Sequence, residues 1–183
     1  MYRIINIIFL IPLFSFSQED STFLKIPYKD GSIVYENVFY IDRINDQTKV
    51  FNLVKSALIR STNYKAVKID EDRTSGNITT EISFAFTAKP GIARIALNAT
   101  TRLSIDVKEN RFRVRLYNNS AMFTLMGQAV IYDMPKVYEA EKLNQEKGKW
   151  KPAKSVVLPW NDSLSLILNS FAYVVSKGIN DDF

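Results

Sequence analysis

The feature that most constrains the fold of this chain is a regular alternation of apolar and polar side chains across two turns. Apolar residues dominate the even positions of 78–86, the odd positions of 95–107 and the even positions of 112–116, with turn-like sequences at 89–91 and 109–110 between them. Successive side chains of a β-strand point to opposite faces of a sheet, so a period of two predicts strands. The sequence therefore predicts three antiparallel strands that share one apolar face.

The pairing of these strands follows from the turns, because a slip of one residue would send every side chain to the wrong face. Across the second turn we expect Lys108 opposite Arg111, and across the first turn we expect Thr87 opposite Arg94. Both pairings keep apolar residues together. The predicted pairs are Val107 with Phe112, Ile105 with Val114, Leu103 with Leu116, Phe86 with Ile95, Phe84 with Leu97, and Ile82 with Ala99.

Two amphipathic helices flank this run of strands. Apolar residues at helical spacing predict one helix that begins at Asn45 or Asp46, and a second helix between a cap at Asp162 and an end at Gly178. Each helix has an apolar side that can cover the apolar face of the sheet. Residues 135–152 are polar and charged, and we expect either a frayed helix or a surface excursion there.

Further strands complete the predicted sheet. Residues 32–41 and 64–70 are rich in β-branched and aromatic side chains, which predicts strands. The stretch 121–134 has the composition of a strand without clean alternation. The elements together predict an α+β two-layer sandwich, in which an antiparallel sheet of about five or six strands is covered on one face by two helices. The predicted order is β-α-β-β-β-β-α.

The N-terminus has the pattern of an export signal. Residues 1–17 contain Arg3, then an apolar core, then small residues at Ser15 and Ser17. The apolar core is shorter than the roughly 20 residues that span a bilayer, and no later stretch comes close, so no transmembrane segment is expected. Residues 18–183 are expected to form a single α+β domain. The predicted location is the periplasm or the cell exterior.

The residue types that carry most enzyme chemistry are missing from this chain. It has no histidine and no cysteine, which excludes histidine general bases, thiol nucleophiles, disulfides and thiolate metal sites. The glycines are scattered, so no glycine-rich phosphate loop is present. We therefore expect a protein without catalytic residues, cofactor or metal. A hydrolase that uses carboxylates is the remaining enzyme alternative.

One stretch of carboxylates imitates a calcium loop. Asp70, Asp72 and Thr74 stand at alternate positions and are followed by Glu81, but Ser75 occupies the position where such a loop requires glycine. We expect a plain turn between two strands instead. The other acidic residues of turns, the polar excursion and the tail are expected to be solvated, and these include Glu139, Glu141, Asp181 and Asp182.

Three stretches of the chain carry a family resemblance: "YKDGSIVYENVFYI" at 28–41, "DRTSGNI" at 72–78 and "IDVKENRFRVRLYN" at 105–118. They resemble a family of exported bacterial domains of unknown function, described as having a TATA-binding-protein-like fold. The resemblance implies this fold, or a related helix-grip-like one, together with export. It implies no activity, because fold does not fix function. Asn110 stands where that family's hairpin would have glycine, and asparagine tolerates the positive φ of such a turn.

The polar face of the predicted sheet carries an excess of positive charge. If the apolar side chains face the helices, Arg113 and Arg115 point the other way, with Arg113 opposite Asp106 and Arg115 facing only Ser104. Glu81 is the second acidic residue expected on this side. The candidate binding residues are Arg102, Lys108, Arg111, Arg113, Arg115 and Tyr117, and Arg94 is expected beside them.

This basic face has two interpretations. It is a solvated surface that keeps the protein soluble, or it docks an anionic partner such as a polysaccharide, a membrane surface or an acidic protein. Nucleic acid is not expected, because the aromatic residues lie mostly on the buried face and an exported protein seldom meets it. The alternative function is binding of a small apolar ligand between the sheet and the helices.

Overall fold

The computed structural model describes residues 26–41, 44–125 and 128–181, and the predicted signal peptide at residues 1–17 lies outside these ranges. The described chain contains eight strands, three α-helices and one 3-10 helix. In chain order they are β1 (Tyr28–Lys29), β2 (Ser32–Ile33), β3 (Tyr35–Tyr40), α1 (Gln47–Arg60), β4 (Lys65–Asp72), β5 (Asn77–Ala88), β6 (Ile95–Lys108), β7 (Arg111–Leu125), β8 (Gln128–Asp133), α2 (Met134–Glu146), the 3-10 helix (Pro152–Lys154) and α3 (Val157–Asp181).

Six of the strands form one antiparallel sheet. Five of them follow the order β3-β7-β6-β5-β4, and β8 pairs with the C-terminal half of β7, on the same edge as β3. β1 and β2 form a separate hairpin. α1 contacts β6 and α3 contacts β5, while α2 contacts β7, β8 and α3. The predicted α+β two-layer sandwich is therefore confirmed, and it contains a third helix, α2.

The face of the sheet that meets the helices is apolar, as the alternation predicts. Ile78, Ile105 and Val114 have no exposed surface, and Trp160 of α3 is equally buried in the same core cluster. Burial of each such large side chain stabilises the fold by about 1.5–3 kcal/mol. Packing of this kind holds together a chain that has no cysteine for disulfides.

The strand register is correctly predicted for one hairpin and shifted in the other. The β6–β7 hairpin has the predicted register next to its turn. In the β5–β6 pairing, however, Phe86 faces Leu97 instead of the predicted Ile95. The last pair is Ala88 with Ile95, so the connecting loop spans residues 89–94, whereas the predicted pairing of Thr87 with Arg94 would place it at residues 88–93. A shift of two residues preserves the faces, which keeps the core intact, but it leaves Arg94 in the loop and off the sheet.

A bulge in β7 exchanges the faces of the strand just before Ser120. Between two successive pairs of the β6–β7 ladder, β7 contains one residue more than β6, and Asn118 takes a positive φ of 54° there. An extra residue exchanges the two faces of a strand. Even-numbered Leu116 is therefore buried before the bulge, and odd-numbered Ala121 is buried after it.

The helices differ from the prediction mainly at their ends. Asp46 caps α1, and its carboxylate accepts hydrogen bonds from two backbone N–H groups. α2 occupies most of the predicted polar excursion. α3 begins at Val157, ahead of the predicted cap at Asp162, and it continues beyond the predicted end at Gly178. In the described ranges, no helix has the length and apolar character needed to cross a membrane.

Candidate binding site on the open sheet face

The face of the sheet that the helices leave open carries all six predicted binding residues. Every second side chain of β6 and β7 points away from the core on this side. The side chains of Arg102, Lys108 and Arg111 make no hydrogen bond or ion pair within the described chain. The six residues are Arg102 and Lys108 on β6, and Arg111, Arg113, Arg115 and Tyr117 on β7.

Asp106 of β6 organises two arginines of β7. Its Oδ2 accepts hydrogen bonds from Arg113, at 2.8 Å from Nη2 and 3.1 Å from Nε, and from Nη2 of Arg115 at 3.2 Å. Its Oδ1 accepts a hydrogen bond from Nδ2 of Asn77 at 2.8 Å. The prediction that Arg115 faces only Ser104 is therefore wrong. Ser104 is its partner in the ladder, but the long guanidinium also reaches the carboxylate.

The surroundings of Asp106 keep its carboxyl group ionised. Desolvation alone would raise its pKa, but hydrogen bonds from Arg113 and Asn77 and the charge of Arg115 outweigh that effect, so the pKa lies below its ordinary value of 3.8. The hydrogen bond to Asp106 likewise raises the pKa of Arg113. At neutral pH the cluster thus consists of two guanidinium groups around one carboxylate, and its net charge is positive.

The open face carries more acidic residues than Asp106 and Glu81, the two that the sequence predicted there. Glu36 of β3 stands opposite Arg115, and Asp133 ends β8 on the same edge. On the same face at the opposite edge of the sheet, Lys68 of β4 forms an ion pair with Asp70 at 3.3 Å. Alternation within one strand cannot tell which strands will be neighbours. The positive charge is therefore concentrated on β6 and β7, and it does not cover the whole face.

A cleft of about 700 Å³ opens at the edge of this face, beside the bulge. It lies where β3 leaves β7 at Leu116 and β8 joins β7 at Ser120, so no strand of the described chain pairs with residues 117–119 on that edge. Two of the predicted binding residues, Arg115 and Tyr117, line the cleft. Among the other lining residues are Ser32, Val34, Asn118, Ile131 and Asp133.

Buried hydrogen bonds hold the bulge in shape. Nδ2 of Asn119 donates to the carbonyl oxygen of Ile33 at 2.8 Å, a contact that replaces a strand partner on this edge. The hydroxyl of Thr101 is shared between Oδ1 of Asn119 at 2.6 Å and the carbonyl oxygen of Tyr117 at 2.9 Å. Sequence reasoning missed this network. The available signal was the asparagine pair at 118–119, because asparagine is depleted in strands.

Glu141 has a structural role that the sequence did not indicate. Its carboxylate accepts hydrogen bonds from the backbone N–H groups of Val156 at 2.7 Å and Val157 at 3.3 Å, at the start of α3. Nε1 of Trp150, at 3.2 Å, and the hydroxyl of Ser155 donate to the same group. The prediction that Glu141 is a solvated surface residue is therefore wrong.

The stretch that imitates a calcium loop is a turn between β4 and β5. The carboxylate of Asp72 accepts hydrogen bonds from the backbone N–H groups of Thr74 at 2.9 Å and Ser75 at 3.2 Å. Hydrogen bonds from Ser75 and Thr74 lower the pKa of Asp72. Across residues 26–41, 44–125 and 128–181, no three carboxylates come close enough together to hold a metal ion.

No protein-family model and no curated protein sequence matches the chain. A TBP-like protein from Parabacteroides distasonis ATCC 8503 is similar in structure, with a TM-score of 0.60 and 14% identity over 85% of this chain and 97% of the other. The fold is TATA-binding-protein-like. A DUF4468 family protein from Bacteroides ovatus ATCC 8483 matches with a TM-score of 0.56 and 13% identity, over 84% of this chain and 89% of the other. The TATA-binding-protein-like fold implied by the resemblance is confirmed, and neither relative is named as an enzyme.

Proposed function

We propose that this protein is an exported, non-catalytic binding module that docks an anionic partner on the basic part of its open sheet face. The observation that carries the proposal is the pair of guanidinium groups that Asp106 holds on the exposed side of the sheet. Arginine forks bind carboxylates and phosphates with two parallel hydrogen bonds. We call the five cations involved the basic stripe, and they are Arg102, Lys108, Arg111, Arg113 and Arg115.

The fixed geometry of two arginines in the basic stripe supports docking over a purely solubilising role. Charges that only keep a protein in solution need no defined position, and long side chains lose entropy when they are held. Arg113 and Arg115 are nevertheless anchored on Asp106. A partner that binds them does not have to order them again, so binding costs less free energy.

A non-catalytic role is supported by the state of the carboxylates. With no histidine and no cysteine in the chain, carboxylates are the principal remaining acid–base groups. Three of them are engaged with other groups: Asp106 binds two arginines, Glu141 caps α3, and Glu71 pairs with Lys55 at 2.7 Å. A carboxylate-based hydrolase would need such a group turned toward a substrate.

The tight packing between the sheet and the helices favours the open face as the binding site over an apolar pocket in that layer. Leu103, Ile105 and Phe112 have no exposed surface on the sheet side of that layer, and Trp160 has none on the helix side. A small-molecule site occupies about 300–1,000 Å³. The cleft of about 700 Å³ is lined instead by residues of the open face, including Arg115.

Binding of the purified protein to polygalacturonate, to phosphatidylglycerol vesicles and to polyglutamate tests the proposal. These probes represent an anionic polysaccharide, a membrane surface and an acidic protein. We expect binding to at least one of them that weakens as salt rises, because exposed charges are screened. The double change Arg102→Glu with Arg111→Glu should abolish it, and it leaves the cluster around Asp106 intact because neither arginine has a partner there.

The matched control is Lys149→Glu with Lys154→Glu, which changes the net charge equally at exposed positions outside the sheet. This control should bind like the unaltered protein. Equal losses in the two double variants would mean that only net charge matters, and the docking face would be refuted. Absence of binding to all three probes at low salt would refute the proposed function itself.

A further inference from the structure

We propose that the cleft beside the β7 bulge is a subsite for an acidic saccharide, meaning a sugar unit that carries a carboxylate group. The inference rests on the proposed function and specifies the class of ligand. Three features of the cleft support it: an arginine that is anchored at one edge only, polar side chains without partners, and a carboxylate at the opposite end.

Arg115 provides the position for the sugar carboxylate. Its Nη2 is held by Asp106 at 3.2 Å and lies 3.5 Å from Oγ of Ser104, whereas its Nη1 makes no hydrogen bond or ion pair within the described chain. The Arg115 side chain is 36% exposed, so a ligand oxygen can accept a hydrogen bond from this free donor. A carboxylate is the group that matches a guanidinium edge with two hydrogen bonds. A ligand carboxylate therefore satisfies the donor that the protein leaves unpaired.

Tyr117 and Asn118 provide contacts for a sugar ring and its hydroxyl groups. Both residues line the cleft, and neither side chain makes a hydrogen bond within the described chain. The amide of Asn118 offers two donors and an acceptor in one plane, which suits neighbouring hydroxyl groups. The ring of Tyr117 has an apolar face on which the C–H side of a sugar can pack, and a hydroxyl at its edge.

Asp133 separates an acidic saccharide from other anions. It faces Ser120 in the ladder, and Ser120 lies about 15 Å along β7 from Arg115 at the usual rise of a strand. A free amino acid is too short to place its carboxylate on Arg115 and its ammonium group on Asp133 at the same time. A carboxylate at this end accepts hydrogen bonds from the hydroxyl groups of a sugar, which the side chains of an acidic peptide lack. Its ion pair with Lys136, at 3.2 Å, leaves the side chain half-exposed.

The walls of the cleft suit a compact polar ligand with some apolar surface. Val34 and Ile131 line the cleft and are 39% and 70% exposed, so they can contact the ring carbons of a sugar. The volume of about 700 Å³ falls within the range of roughly 300–1,000 Å³ for small-molecule sites. Carboxylate, hydroxyl groups and ring carbons occur together in one sugar acid, which is why this class fits the cleft.

Calorimetric titration with tetragalacturonate tests the inference, with neutral galactotetraose and tetraglutamate as comparison ligands. We expect tetragalacturonate to bind more tightly than either of them. Arg115→Lys keeps the charge but removes the fork, and Asn118→Gly keeps the backbone conformation but removes the amide. Each change should weaken binding about tenfold, the effect of losing one good hydrogen bond to a charged or polar ligand group. Arg60→Lys, at the exposed end of α1 and outside both the cleft and the basic stripe, is the matched control and should bind unchanged.

The outcomes separate this inference from the proposed function. If tetraglutamate binds as tightly as tetragalacturonate, or if Arg115→Lys and Asn118→Gly both bind like Arg60→Lys, the saccharide subsite is refuted and the anionic docking face stands. If no anionic probe binds, both are refuted. Thermal melting of each variant checks that it is folded. If Arg115→Lys does not fold, the affinity of Asn118→Gly for tetragalacturonate alone tests the saccharide subsite.

Discussion

The guanidinium of Arg115 lies 3.2 Å from the carboxylate of Asp106, although the residue opposite Arg115 in the strand ladder is Ser104. Diagonal neighbours in an antiparallel ladder are about 7–8 Å apart at their backbones, so only a long side chain makes such a contact. The contact covers Ser104, which is only 3% exposed on a face that is otherwise open. It also holds Arg115 at the mouth of the cleft, and both proposals about binding depend on it.

Asp106→Asn should lower the free energy of unfolding at neutral pH by about 1 kcal/mol, a modest value because water screens a partly exposed cluster. The pKa of Asp106 in the folded protein lies below its ordinary value of 3.8. The carboxylate therefore stabilises the fold above that value, and this contribution is lost as pH falls through the lower folded pKa. Urea unfolding at neutral and acid pH should show the difference between the two proteins shrinking toward acid. A difference that is constant across the pH range would contradict the role of this carboxylate.

Asn118→Val should destabilise the protein by about 1–2 kcal/mol, because a β-branched residue tolerates a left-handed backbone poorly. Asn118→Gly should change stability little, since glycine accepts the φ of 54°. Asn98→Val is the control, because Asn98 is exposed within β6 and valine favours strands. Denaturant unfolding of the three variants gives the comparison. Equal effects of the two valine substitutions would mean that β7 has no bulge at this position.

Gly76→Ala should destabilise the protein much more than Gly31→Ala. Both glycines have a positive φ, 71° and 76°, but an added Cβ at Gly76 would lie 2.5 Å from the carbonyl oxygen of Val107 and would also meet Nε2 of Gln47. Nothing lies within 4 Å of a Cβ at Gly31. Gly31→Ala isolates the cost of the backbone conformation, about 1 kcal/mol, whereas overpacking should bring Gly76→Ala to roughly 3 kcal/mol. Melting temperatures that fall equally in the two variants would argue against this close approach of two hairpins.

Glu141→Ala should destabilise the protein by about 1–2 kcal/mol, because the first N–H groups of α3 lose their acceptor. Hydrogen exchange should accelerate at the amides of Val156 and Val157, which donate to Glu141. Glu146→Ala is the control, because Glu146 is exposed at the C-terminal end of α2, and it should leave both measurements unchanged. Protection at these two amides that survives Glu141→Ala would mean that other groups cap α3.

The core could be predicted from the sequence because it depends on a local property. Alternation identifies which side of a strand is apolar, and Ile78, Ile105 and Val114 are buried as expected. The register of β5 on β6 was wrong by two residues because such a shift leaves every side chain on its face. Alternation therefore cannot distinguish the two pairings, which differ only in whether the connecting loop lies at residues 88–93 or at residues 89–94.

The candidate site was predictable only in part, because it combines distant segments. The arginines of β7 follow from alternation, but Glu36 and Asp133 join them only through the positions of β3 and β8 on one edge. The sequence also suggested a positive φ at Asn110, but the asparagine that adopts one is Asn118. Among the described non-glycine residues only Asp30 and Asn118 have a positive φ, so Asn110 makes its turn without one.

The start of α3 could not be predicted from the local sequence either, because it also depends on a distant segment. Asp162 is a reasonable cap on composition alone, yet the helix begins at Val157 because Glu141 of α2 and the hydroxyl of Ser155 accept the first N–H groups. A cap that comes from another helix leaves no mark in the local sequence. Pro159 within the first turn also concealed the start, although proline is tolerated at that position because the N–H there needs no helical partner.

The most direct test of the binding face is an NMR map of backbone amide shifts in the isotopically labelled protein as tetragalacturonate is added. We predict that the largest shifts fall at residues 113–120 of β7 and at 131–133 of β8, and that they diminish as salt is raised. The amides of α1 and α3 should remain where they are. Shifts that are largest in α1 or α3, with the β7 amides unmoved, would contradict binding on the open sheet face.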